Sequence, residues 1–91
     1  MMLRYYMRVF GRVQGVGFRY FVQYTASLLN LTGWVRNLDD DSVDMEVQGQ
    51  EEVLNAFINK IRKGNGFSSV EDFSIHKLPL VDEEKNFKIK Y

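Results

Sequence analysis

Cysteine is absent from all 91 residues, which excludes disulfides, thiolate metal ligands and a cysteine nucleophile. Its absence fits a cytoplasmic setting. No apolar run approaches the roughly 20 residues a membrane helix needs, and Met1-Met2-Leu3-Arg4 lacks the apolar stretch of a secretory signal. Acids and lysine are both missing from residues 1–38. That segment holds Arg4, Arg8, Arg12, Arg19 and Arg36 with nothing of opposite sign, a net +5. Residues 39–91 carry seven Lys or Arg against twelve Asp or Glu, a net −5, so the whole chain is neutral. Neutrality argues against a general attraction to nucleic acid or membrane and confines positive potential to the first segment. Internal repeats, low-complexity stretches and linkers are missing too, so residues 1–91 are expected to form one domain with one core.

What is present is a regular alternation of elements. Leu3, Tyr5, Met7 and Val9 alternate with Arg4, Tyr6, Arg8 and Phe10, the period-two pattern of a strand. Residues 19–29 place Val22, Ala26 and Leu29, with Phe21, Thr25 and Leu28 beside them, on one helical stripe. Asn30 suits a left-handed helix end. Gly33 to Asn37 reads as a second strand, Leu38 to Ser42 as a polar turn, and Val43 to Gln48 as a third strand that Gly49 should break. Glu51 and Glu52 open a second helix from the end its dipole prefers, with Val53, Phe57 and Ile61, flanked by Leu54 and Ile58, as its buried stripe and Gly64 as its cap. Val70 to Leu78 reads as a strand ending near Pro79, the single proline, and Phe87 to Tyr91 as a short closing strand. The order β-α-β-β-α-β plus a terminal strand predicts an α+β, ferredoxin-like split β-α-β sandwich. Its antiparallel sheet should carry two helices on one face.

One segment stands apart. Gly11-Arg12-Val13-Gln14-Gly15-Val16-Gly17-Phe18-Arg19 lies between the first strand and the first helix. Gly15 and Gly17 permit positive φ and close approach of an anion to the main chain. Arg19 puts a cation where the free N–H groups of a helix start already carry positive potential. An anion filling that space, cradled by N–H groups and gripped by the guanidinium, resolves the conflict. The loop lacks the lysine of a nucleotide P-loop, and its glycine spacing is wrong for a dinucleotide fingerprint. A tight turn with a solvated arginine is the plainer alternative. Asn37, closing Gly33-Trp34-Val35-Arg36-Asn37, reads by itself as a turn-forming asparagine.

Taken together, G-R-V-Q-G-V-G-F-R and G-W-V-R-N at this separation closely resemble the acylphosphatase family, and the resemblance runs on to Phe87-Lys88-Ile89-Lys90-Tyr91. The resemblance implies a hydrolase that cleaves the carboxyl–phosphate bond of acyl phosphates to a carboxylate and inorganic phosphate. It implies that the loop matching Gln14, Gly15, Val16, Gly17 and Phe18 binds phosphate through main-chain N–H groups. It also implies that Arg19 holds the phosphate and that Asn37 orients the attacking water, with no metal and no organic cofactor. A small-molecule acyl phosphate and inorganic phosphate are then the partners of a cytoplasmic monomer, with neither nucleic acid nor membrane involved.

The chain departs from the family's pattern at Leu38-Asp39-Asp40-Asp41-Ser42, where many relatives have glycine near Asp41. Asp41 is expected to take the positive φ instead. Gln50 replaces a common proline at the start of the second helix. His76, the single histidine, lies beyond both motifs and reads as structural. Arg12 and Arg36 read as local potential or partners for acids, Trp34 as packing and Phe18 as an anchor of the helix start. Two rivals differ in kind. An RNA-binding module shares this topology but stacks bases on aromatics of its central strands, and Val43 to Gln48 offers Asp44, Glu46 and Gln48 there. The other is an acylphosphatase-like domain that keeps the anion loop without turnover.

Overall fold

In the computed structural model, which describes residues 1–91, seven elements follow one another. They are β1 (Met2–Arg12), α1 (Phe18–Leu28), β2 (Thr32–Asn37), β3 (Val43–Gln50), α2 (Glu51–Lys63), β4 (Ser69–Leu78) and β5 (Phe87–Ile89). They build one five-stranded sheet in the order β4-β1-β3-β2-β5. The pairs β1–β3, β1–β4 and β2–β3 are antiparallel, as expected. The pair β2–β5 is parallel, with Gly33 opposite Phe87. The sheet is therefore mixed rather than wholly antiparallel. β4 lies at one edge and β5 at the other, so residues 79–86 must cross the sheet, and β5 enters running in the direction of β2.

The core lies between the sheet and the two helices. Met7, Val9, Val35, Val43, Met45 and Val47 meet Phe18, Val22, Ala26, Leu54, Phe57 and Ile61, all buried. The helical stripes differ from the expected ones by a small rotation. Phe18, Val22, Thr25 and Ala26 are buried on α1, while Leu28 is 63% exposed. On α2 the buried residues are Leu54, Phe57 and Ile61, with Val53 only partly covered. Asn30 takes φ 57° and Asp41 φ 72°, both as expected. β3 does not stop at Gly49. It continues to Gln50, pairing Gly49 with Leu3, and the Leu31 side chain fills the space where a Cβ on Gly49 would stand.

Gly33 has a stricter reason to be glycine. Its φ is +143°, and a Cβ there would sit 1.9 Å from the Glu46 carbonyl oxygen. The glycine that opens the G-W-V-R-N motif thus lets β2 lie against β3.

The outer face of the sheet is covered too. Asp44, Glu46 and Gln48 do point away from the helices, but Asp44 and Gln48 are buried. Tyr6 donates to Asp44 at 2.8 Å, and Arg36 grips the same carboxylate at 2.9 and 3.1 Å. Gln48 exchanges hydrogen bonds with the backbone of Val81 at 3.0 and 2.9 Å. Arg4, 3% exposed, donates to Glu46 at 2.7 Å, Gln48 at 3.1 Å and Glu84 at 2.8 and 3.2 Å. The crossing segment 79–86 is thus fastened through Glu84 and Val81.

Burial works against the charged form of Glu84, but hydrogen bonds from Arg4 and Thr32, with the charges of Arg4 and Lys88, outweigh it and hold the carboxyl below its ordinary value of 4.5. A carboxyl depressed on folding stabilises the native state above its unfolded pKa, and that contribution disappears as pH falls through the folded value. Glu84→Gln is therefore expected to lower stability by about 1–2 kcal/mol at neutral pH. Urea titrations from pH 7 down to pH 3 should show the gap to wild type closing below pH 4.5, and a gap independent of pH would rule this coupling out.

Candidate active site

The end of β1, the start of α1 and the end of β2 meet at one edge of the sandwich. Gly15 and Gly17 both adopt left-handed backbone conformations, with φ 71° and 74°. Gly17 is the N-cap of α1 and offers no side chain to its free N–H groups, and the first turn contains no acid. α2 differs, with Glu51 and Glu52 in its first turn. The N-terminus of α1 is thus left open to an external anion.

A cup of about 150 Å³ opens there, lined by Val13, Gln14, Gly15, Gly17, Phe18, Arg19, Tyr20 and Asn37. Four larger cavities lie elsewhere, among them one between the two helices and one beside Trp34, but none contains the glycine loop. Of the expected site residues, Gln14, Gly15, Gly17, Phe18, Arg19 and Asn37 come together at the cup. Val16 does not line it. Its side chain packs on the core and its carbonyl accepts from Asn65 Nδ2 at 2.8 Å. The Phe18 side chain is buried, anchoring the helix start as expected. The Gln14 side chain is also committed, donating to the carbonyls of Leu38 and Ser42 at 2.8 and 2.9 Å. What Gln14 and Phe18 can offer an anion is main chain.

That Gln14 link ties the glycine loop to the turn after Asn37. Within the turn, Asp40 accepts from the backbone N–H of Ser42 at 3.1 Å and from its hydroxyl, and it pairs with Arg8. The Ser42 hydrogen bonds and Arg8 lower the Asp40 pKa. One of the three adjacent carboxylates is thereby engaged away from the cup.

Arg19 has no carboxylate partner, whereas Arg4, Arg8 and Arg36 all do. Its guanidinium lies 5.1 Å from the centre of the Tyr91 ring, a stacking that leaves the N–H edge free. Asn37 is half-buried at the end of β2. Its Oδ1 is the one buried side-chain polar atom of the molecule without a hydrogen-bond partner. A buried acceptor without a donor costs about 1–3 kcal/mol, so this oxygen is a side-chain acceptor that the fold itself leaves unsatisfied. The residue with the unpaired acceptor and the arginine without an acidic partner line one cup.

The acylphosphatase family model matches residues 5–89. The chain belongs to the acylphosphatase family. It is 54% identical over 90 residues to the acylphosphatase of Clostridium beijerinckii, covering 99% of this chain and 100% of that one. It is 49% identical over 90 residues to that of Bacillus licheniformis, covering 99% and 100%. The crystal structure of acylphosphatase from Bacillus subtilis superimposes with a TM-score of 0.93 at 42% identity, over the full length of both chains. This acylphosphatase hydrolyses the carboxyl–phosphate bond of acyl phosphates, and the ferredoxin-like α+β fold is that of its relatives.

Three residues near the acylphosphatase cup escaped the sequence reading. Tyr20 lines it, Tyr91 stacks on Arg19, and Asn65 holds Val16. Adjacency to Arg19 was a weak signal for Tyr20. Tyr91 and Asn65 come from distant parts of the chain and carry none. His76 sits exposed on β4, paired across from Tyr6 and away from the cup. Arg36 pairs with Asp44, and Trp34 carries the cations of Arg36 and Lys90 at 4.9 and 4.2 Å from its ring.

Proposed function

We propose that the main chain of Gln14 to Phe18 and the guanidinium of Arg19 hold the phosphoryl group of the substrate, and that Asn37 orients the attacking water. The observation that carries this reading is the lone buried acceptor, Asn37 Oδ1, in the same cup as a guanidinium without an acidic partner. Arg19 and the N–H groups at the start of α1 neutralise the phosphoryl oxygens. Asn37 accepts an O–H of the water and fixes its oxygen in line with phosphorus. The water oxygen forms a bond to phosphorus while the bond from phosphorus to the acyl oxygen breaks, and the carboxylate leaves with the electron pair. Its pKa is about 4, so no general acid is required. An amide takes up no proton at neutral pH, so the proton of the water passes to a phosphoryl oxygen or to solvent. Catalysis of this kind is positioning plus charge stabilisation.

Phosphorus NMR of acetyl phosphate in ¹⁸O-water with excess EDTA tests the scheme. The expected outcome is metal-independent turnover with the label in inorganic phosphate. Label in acetate would mean attack at the carbonyl carbon and would refute the proposed geometry. Binding of phosphate without turnover would instead favour the anion-binding domain that lacks catalysis. We place the enzyme in the cytoplasm as a monomer, and a sedimentation mass near 10.7 kDa would agree with that state.

A further inference from the structure

Two glycines in left-handed backbone flank Val16, and they leave a problem of rigidity. Gly15 and Gly17 have φ 71° and 74°, and a Cβ on Gly15 would meet nothing within 4 Å. Rotation of the intervening peptides is sterically cheap, yet a phosphate cradle needs its N–H groups aimed before the ligand arrives. The Val16 side chain packs on the core, but no backbone N–H bonds its carbonyl.

We infer that Asn65 is a positioning residue for the phosphate cradle, setting the direction of the Gly17 N–H by holding the carbonyl of Val16; this rests on the reading that the cup binds phosphate. Asn65 follows Gly64, the C-cap of α2. Its Oδ1 accepts from the backbone N–H groups of Phe67 and Ser68, both at 2.9 Å, and its own N–H donates to Ser68 Oγ at 3.2 Å. With Oδ1 occupied by two donors, the opposite end of the amide must be the NH₂ group, which settles its orientation. That NH₂ reaches the Val16 carbonyl at 2.8 Å. In a planar trans peptide the C=O of Val16 and the N–H of Gly17 point in opposite directions. Drawing the carbonyl toward the end of α2 therefore turns the Gly17 N–H to the other side of the loop, and Gly17 is a lining residue of the cup. The side chain never touches the phosphate, and its effect passes wholly through one peptide plane.

Two variants separate this role from simple support of the turn. Asn65→Asp keeps the acceptor for Phe67 and Ser68 but loses the donor to Val16, whereas Asn65→Ala loses both. Competitive inhibition by inorganic phosphate, steady-state hydrolysis of benzoyl phosphate and amide NMR during phosphate titration are the measurements. In Asn65→Asp the inhibition constant of phosphate should rise about tenfold, and kcat/KM should fall about 10- to 100-fold, with the fold intact. The phosphate-induced downfield shift of the Gly17 amide proton should be largely lost, while the Gly15 and Arg19 amides still respond. A wild-type inhibition constant together with a wild-type Gly17 shift in that variant overturns the inference and leaves the phosphate cup intact. Should both variants be too unstable to assay, the wild-type titration decides. A silent Gly17 amide beside responding Gly15 and Arg19 amides overturns the inference, and a loop in which no amide responds overturns the cup reading along with it.

Discussion

Arg19→Gln is expected to lower kcat/KM for benzoyl phosphate by about 10⁴-fold or more, with the fold intact. Loss of one well-placed donor to a developing charge costs about 10²- to 10³-fold. A guanidinium can supply two such contacts in a forked geometry, and Arg19 is the only arginine that lines the cup. Inorganic phosphate should lose most of its inhibition as well, because the same cation serves the ground state. Stability should barely change, since Arg19 has no ion pair and only stacks on Tyr91. Arg19→Lys should recover little of the activity, because a point charge on a flexible stem cannot match the planar fork. Retention of activity within tenfold of wild type in Arg19→Gln would remove the guanidinium from the mechanism.

Asn37→Ala should separate chemistry from binding. We expect kcat to fall about 100- to 1,000-fold, while the inhibition constant of inorganic phosphate stays within threefold. Stability should move the other way. Asn37 Oδ1 is buried and unpartnered, so deleting it removes a desolvation penalty, and the variant should match or exceed wild type by about 1 kcal/mol. A more stable, inactive enzyme is the pattern of a side chain kept for function at some cost in stability. Weakened phosphate binding with an unaffected kcat would instead put Asn37 in the phosphate grip rather than on the water.

How much of this could be read from the chain follows from where each contribution lies along it. The proposed cradle is contiguous from Gln14 to Arg19, so its glycine spacing and its arginine at a helix start pointed to an anion site, and G-W-V-R-N was needed to favour it over a plain turn. Asn37 was legible only through G-W-V-R-N, since a lone asparagine before a turn is ambiguous. Gly33 at the head of that motif proved to be a backbone requirement, set by the Glu46 carbonyl. The alternation of Val43, Met45 and Val47 identified β3, but not that its polar face would be buried. Asp44 and Gln48 are covered because Tyr6, Arg36 and the crossing segment 79–86 lie over them. The parallel entry of β5 has the same origin, for strand direction depends on the path of the connection.

By itself, the amino-acid sequence determined the order of elements, the glycine loop that ends at Arg19, and the family to which both motifs belong, because each is written in neighbouring side chains. Only the tertiary structure decided that Gln14 would brace the hairpin, that Asn37 would be left with an empty acceptor, and that Asn65 would hold Val16 from 49 residues away. The Gln14 and Asn65 contacts end on backbone carbonyls, which every residue possesses, so no residue identity could announce them.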